Sequence, residues 1–223
     1  MKTGEKLLRI YQLLFDSFGP QHWWPGETPF EVMVGAVLTQ NTSWHNVAKA
    51  IGNLKDNDLL TPAALYALPA EVLAAHIRPA GYFNLKAGRL RNMLRLIVED
   101  YDGDLDQLLA QETGRLRELL LSVRGIGPET ADSICLYAAN KPLFVVDAYT
   151  HRLLHRHGLV PEECDYEEMQ QLFMDHLTAD SRLFNEYHAL IVRLGKDYCR
   201  KGNPRCASCP LREITPVLMD PRP

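Results

Sequence analysis

The sequence predicts an all-α fold, and three observations predict it. Apolar residues recur at helical spacing along most of the chain, oxygen-bearing caps and prolines stand where such runs begin, and a single short apolar stretch departs from the period. Leu7, Leu8, Tyr11, Leu14 and Phe15 make the N-terminus an amphipathic helix rather than a signal peptide. Thr28-Pro29 opens the run FEVMVGAVL and Thr61-Pro62 opens AALYAL, each pairing a cap with a proline suited to the first helical turn. Leu65, Leu68, Val72, Leu73, His76 and Ile77 continue the period, and Thr113 is the expected cap of GRLRELLLSV. The exception is Leu143-Phe144-Val145-Val146, between Pro142 and Asp147, which fits a short strand or a buried loop. The proline-rich tail after Arg212 reads as frayed.

A chain of 223 residues, 46% hydrophobic, can bury the core of one large domain or two small ones. No apolar run approaches the ~20 residues of a membrane span, so a soluble cytoplasmic protein with no membrane partner is expected. Of the five cysteines, Cys199, Cys206 and Cys209 crowd together, which suggests metal ligation in a reducing compartment rather than a disulfide framework. Cys135 and Cys164 read as ordinary residues. The net charge of -4 argues against indiscriminate binding to a polyanion. Basic residues nevertheless gather at Arg78 to Arg95, at Arg115, Arg117 and Arg124, and at Lys196 to Arg205, so one basic face can coexist with an acidic total. From charge alone, solvated helix faces are the preferred explanation.

The segment LRELLLSVRGIGPETADSICLYA places an amphipathic helix, a tight Gly125-Ile126-Gly127 hairpin and a second helix opening with Pro128. Glycines there leave amide N–H groups uncovered at a helix N-terminus, where an anion such as phosphate is favoured. By itself a GxG before a helix is a common tight connection. Further along, Asp147 follows an apolar run and precedes the basic helix AYTHRLLHRHG. Such an acid is ordinarily an N-cap, and at a groove for an anionic polymer it is also placed to stabilise positive charge on a sugar losing its base.

Together, LxxxxGIGxxTA, VVDAYTHR and the cysteine cluster resemble the helix-hairpin-helix Gly/Pro-Asp superfamily typified by endonuclease III, from PFEVMVGAVLTQNT through Cys209. The resemblance implies a monomeric base-excision repair enzyme of the nucleoid that acts on double-stranded DNA containing a damaged base. It also implies a six-helix barrel with the hairpin over residues 22–141, and a discontinuous helical domain over residues 1–21 and 142–223 that ends in the cysteine loop. By the same resemblance Arg124, Gly125, Ile126 and Gly127 hold a phosphate, Asp147 is the essential carboxylate, and Gln40 fills the hole left by the flipped base. Lys86 is counted with the DNA-binding residues.

Bifunctional members carry a lysine two residues after the second hairpin glycine, whose amine forms a Schiff base; here that position is Glu129. Pro128, Thr130 and Asp132 supply no substitute amine, so a monofunctional glycosylase without lyase activity is expected. Glu129 then orients water or meets the base, or is a surface acid stabilised by the helix dipole. Ala36 stands where adenine-mismatch enzymes carry a glutamate acid, which weakens that reading. Trp23-Trp24-Pro25, LTQNT and Trp44 are instead similar to the 3-methyladenine glycosylase branch. A cationic alkylpurine stacks well on indole faces and needs little leaving-group acid, although core or inter-domain packing also explains these tryptophans.

In the family a [4Fe-4S] cluster is bound by C-x6-C-x2-C-x5-C. Cys199, Cys206 and Cys209 match, but the fourth place is Thr215, a poor ligand. The alternatives are a cluster with a non-cysteine fourth ligand, a three-iron form, or loss in favour of zinc or free thiols. Retention is the expectation, because CRKGNPRCASCPLR keeps the basic loop that contacts DNA in the family. A lysine at the end of YHALIVRLGK, Lys196, is read as solvated and given no catalytic role. Two functions compete with the monofunctional glycosylase: a damage-binding protein with reduced catalysis, and a bifunctional enzyme using another amine.

Overall fold

The computed structural model describes residues 2–214, and among these the secondary structure is helical with no β-strand. Contacts divide the chain into two compact units, one running to Trp23 and resuming at Pro142, the other spanning Trp24–Lys141. No helix of the described residues is long and apolar enough to cross a membrane. Helix α1 (Thr3–Phe18) opens the discontinuous unit and buries Leu7, Ile10 and Leu14, one face at helical spacing.

The continuous unit is built around α2 (Pro29–Leu38), which is buried from Phe30 to Leu38 because its sequence is apolar on every side. Thr28 caps it, its Oγ1 accepting from the Glu31 amide at 3.1 Å. Glu31 is 4% exposed and tolerated there because Lys55 lies 2.9 Å away. Around this axis stand α3 (Trp44–Lys55), α4 (Pro62–Ala67), α5 (Ala70–His76), α6 (Phe83–Glu99), α7 (Leu105–Leu109), α8 (Thr113–Ser122) and α9 (Pro128–Ser133). Thr61 caps α4 as its residue type predicts. The cap of α8 is not Thr113 but Glu112, whose carboxylate accepts from the Gly114 and Arg115 amides at 2.9 and 3.2 Å. Thr113 is the first residue of the helix itself. Helix α9 runs into a π-helical turn over Ile134–Ala138, a widening that helical periodicity does not foretell.

Residues 143–146 form neither strand nor helix: Phe144, Val145 and Val146 are buried in a loop, where the Gln170 amide donates to the Phe144 carbonyl at 2.6 Å. In the discontinuous unit this loop leads into α10 (Ala148–Arg156), α11 (Tyr166–His176) and α12 (Ser181–Asp197). Phe144 stacks on Phe173 with centroids 3.7 Å apart, and buried Tyr187 donates its hydroxyl to the Leu7 carbonyl at 2.8 Å. Helices α10 and α12 meet closely because Gly195 lacks a side chain; a Cβ there would lie 2.2 Å from the Tyr149 ring. The tail from Thr215 onward lies outside the described residues.

Candidate active site

In the continuous unit the Gly-Ile-Gly turn joins α8 to α9. Ile126 is buried and pins the turn, its amide donating to the Val123 carbonyl at 3.0 Å, while Arg124, Gly125 and Gly127 are exposed. Gly125 has φ +99°, and a Cβ there would stand 2.6 Å from Arg89 Cγ, so both the backbone angle and the approach of Arg89 require glycine. Gly127, the N-cap of α9, has no side chain with which to cap the helix, and the space where its Cβ would be is open. A helix start opened by glycine beside open space is a place for an anion.

The turn is braced from α6 and from the end of α2. The Gln40 amide donates to the Gly125 carbonyl at 3.1 Å and to Thr130 Oγ1 at 2.9 Å, while its oxygen accepts from Arg89. Asn92 donates to the Arg124 carbonyl at 2.9 Å. Behind the turn, Arg117 of α8 pairs with fully buried Asp132 of α9 at 2.7 Å, tying the two helices of the hairpin together. Gln40 is therefore engaged with the hairpin itself. From sequence Arg89 stands out only as one of the basic residues between Arg78 and Arg95, and Asn92 not at all; their spacing on one face of α6 is the available signal.

Lys86 requires a correction. It is 1% exposed, and its ammonium donates to the carbonyls of Leu38 and Ala80 at 2.9 and 2.7 Å. Burial lowers its pKa, with Arg89 contributing. It closes the C-terminal end of α2 and cannot reach a phosphate.

Trp24 and Trp44 meet edge to face with centroids 5.2 Å apart, and Tyr137, from the π-helical turn, lies 5.2 Å from Trp24. All three are partly exposed. Gly35 on α2 forms the floor, because a Cβ there would stand 3.2 Å from Trp24 Nε1 and 3.4 Å from Trp44 Cη2. Sequence reading missed Tyr137 and Gly35, which join the cluster through tertiary contacts. Trp23 belongs to the other unit. Glu129 is exposed in the first turn of α9, and its carbonyl accepts from Ser133 Oγ at 2.7 Å. One further surface feature is Tyr82, 72% exposed with φ +45° at the start of α6, a strained setting for a large aromatic residue.

In the discontinuous unit Asp147 is the N-cap of α10. Its Oδ1 accepts from the Tyr149 and Thr150 amides at 2.9 and 2.8 Å and from Thr150 Oγ1 at 3.0 Å, while Oδ2 faces His188 Nε2 at 3.6 Å. Burial acts to raise the Asp147 pKa, but His188 and the Thr150 donors outweigh it and hold the carboxyl below its ordinary value. The group is an ionised carboxylate in a largely desolvated setting. His188, on α12, gave no sequence signal.

Cys199, Cys206 and Cys209 line one cavity together with Arg156, His157 and Leu211. Arg156 donates to Cys199 Sγ and the Leu211 amide to Cys209 Sγ, both at 3.4 Å, and such N–H···S contacts suit thiolates. The sulfurs surround the space rather than converge: among the described residues no group of three or more His, Cys, Asp or Glu side chains is gathered tightly enough to hold a metal ion. Thr215 lies outside the described residues.

Residues 34–178 match the HhH-GPD superfamily of base excision DNA repair proteins. A Methanocaldococcus jannaschii protein, provisionally named a DNA repair glycosylase, is 47% identical over 94% of this chain and 96% of its own length. Endonuclease III of Thermotoga maritima is 30% identical, with 82% of this chain and 81% of the relative covered. Among solved structures, the H. pylori 3-methyladenine DNA glycosylase MagIII bound to 1,N6-ethenoadenine superposes with a TM-score of 0.74 at 30% identity, covering 88% of this chain and 98% of that one. An endonuclease III–DNA covalent intermediate shares the fold at TM-score 0.81 and 23% identity, covering 96% of each chain.

Proposed function

Because the chain belongs to the HhH-GPD superfamily of base excision DNA repair proteins, we propose that it is a monofunctional DNA glycosylase that excises alkylated purines from duplex DNA, with Asp147 as its essential carboxylate. The observation that carries the reading is Glu129, an exposed carboxylate in the first turn of α9, where a Schiff-base mechanism needs an amine. The reaction is then hydrolysis: the C1′–N bond breaks, the base leaves with the electron pair, and water adds to C1′ and releases a proton to solvent, which leaves an abasic site. Ionised Asp147 stabilises the positive charge that develops on the sugar, and Glu129 orients the water.

Two further observations support the choice of lesion. The Trp24, Trp44 and Tyr137 rings form a partly exposed aromatic cluster of the kind that attracts a cationic base, and the MagIII structure that resembles this chain holds an etheno-modified adenine. The Gly125–Gly127 turn receives a phosphate beside the lesion, with Arg124 neutralising charge. Cys199, Cys206 and Cys209 would hold an iron–sulfur cluster, which would pin their loop.

The test is a panel of lesion-bearing duplexes assayed for base release, with strand scission measured before and after alkali and with borohydride present. The reading expects release of 3-methyladenine ahead of an uncharged oxidised pyrimidine, scission only after alkali, and no trapped complex. A borohydride-trapped covalent adduct overturns the monofunctional assignment, while damage binding without base release makes the protein a sensor.

A further inference from the structure

We propose that His188 is a positioning residue for Asp147, holding Oδ2 in the orientation from which it stabilises the sugar cation. The inference rests on the glycosylase reading above and adds a residue on a different helix to it. The two carboxylate oxygens are not equivalent. Oδ1 is committed to the helix start by three donors, the Tyr149 amide and the amide and hydroxyl of Thr150. Oδ2 is the oxygen left for chemistry, and the Nε2 of His188 stands 3.6 Å from it.

This pairing is built by the fold and not by a flexible surface encounter. The Asp147 and His188 side chains are only 12% and 8% exposed, so neither swings freely in water. The helix that carries His188 is pressed against α10 where Gly195 admits the Tyr149 ring, which sets the distance between the two helices. At 3.6 Å the contact is longer than a hydrogen bond, and catalytic contacts of this kind shorten when substrate fills the site. The imidazole then limits rotation of the carboxylate about its Cβ–Cγ bond.

Three measurements on the full chain test this. With 3-methyladenine duplex, His188→Ala should lower the single-turnover excision rate about tenfold or more, while the Kd for a duplex with an abasic-site analogue changes less than about threefold. His188→Gln, which keeps an N–H donor at similar reach, should recover most of that rate. With His188 kept, the 15N resonances of its ring should shift on Asp147→Asn, a readout independent of turnover. Excision at the unsubstituted rate by folded His188→Ala, equal loss in His188→Gln and His188→Ala, or a ring signal indifferent to Asp147→Asn overturns the inference and leaves the glycosylase reading standing. Absence of base release by the unsubstituted protein overturns the glycosylase reading, and this inference falls with it.

Discussion

In the unit from Trp24 to Lys141 the atoms set out for a ligand are largely backbone: the turn at Gly125–Gly127 is shaped by missing side chains and braced by Gln40, Arg89 and Asn92. In the discontinuous unit the corresponding group is one side chain, Asp147, whose charge is maintained by Thr150 and His188. The first arrangement suits binding, because it presents a fixed surface to a repeating anion. The second suits chemistry, because a single buried charge acts most strongly where charge develops. Substitutions in the two units should accordingly separate affinity from rate.

The largest effect is expected at Asp147. Asp147→Asn keeps the capping oxygen and nearly the same volume but removes the charge, so excision should fall on the order of 10²-fold or more while DNA affinity is largely retained. Single-turnover rates beside fluorescence-anisotropy titrations separate the two, and an active Asp147→Asn enzyme would remove the carboxylate from the mechanism. A pH–rate profile sharpens the point. The carboxyl is held below its ordinary value, so it stays charged above that value and loses its charge only as pH falls through the lowered one. Any acid limb from Asp147 should therefore lie below the ordinary carboxyl value, and one at or above that value would contradict the proposed role of its neighbours.

Gly125→Ala should show the opposite pattern. The φ of +99° and the collision with Arg89, itself bonded to Gln40, leave the new methyl no easy place, so a destabilisation of about 1–3 kcal/mol and weaker DNA binding are expected. Thermal melting and Kd check this, with the excision rate at saturating DNA falling much less than for Asp147→Asn. Equal losses of rate in both variants would erase the division of labour.

Effects at the aromatic cluster should be smaller. Trp44→Ala should reduce excision of 3-methyladenine by an amount equivalent to roughly 1–3 kcal/mol of stacking, and Trp44→Phe by less, because Phe keeps a π-face with weaker attraction for cations. Thermal melting run in parallel separates this from packing, since Trp44 also rests on Trp24. A variant that melts normally and excises normally would take the cluster out of base recognition.

What could be read from the sequence is what local chemistry dictates. The helical period, the Thr28 and Thr61 caps, the glycine turn and an acid opening α10 all depend on neighbours within a few residues. Glu112 was missed as the α8 cap because the threonine beside it is the commoner capping type, although either side chain offers an oxygen. Residues 143–146 were undecidable because four buried apolar residues carry no period. His188, Tyr137 and Gly35 were invisible for a different reason: each acquires its place through packing between elements distant in sequence.

Lys86 was misread because a lysine is seldom fully buried, even on a helix that turns one face to the core, and its correction supplies the smallest expected effect. Arg124 is exposed at the hairpin, so Arg124→Ala should lower the slope of log Kd against log salt by about 0.9, the value for one lost phosphate contact. Lys86→Met should leave that slope unchanged. Its ammonium meets the Leu38 and Ala80 carbonyls, and their loss of a donor should appear as a lower melting temperature. That shift should be modest, because the substitution also removes the cost of keeping a charged amine out of water, the same cost that lowers the Lys86 pKa. Salt titrations of both variants on one duplex decide the matter: a slope reduced in Lys86→Met as much as in Arg124→Ala would return Lys86 to the DNA-binding surface.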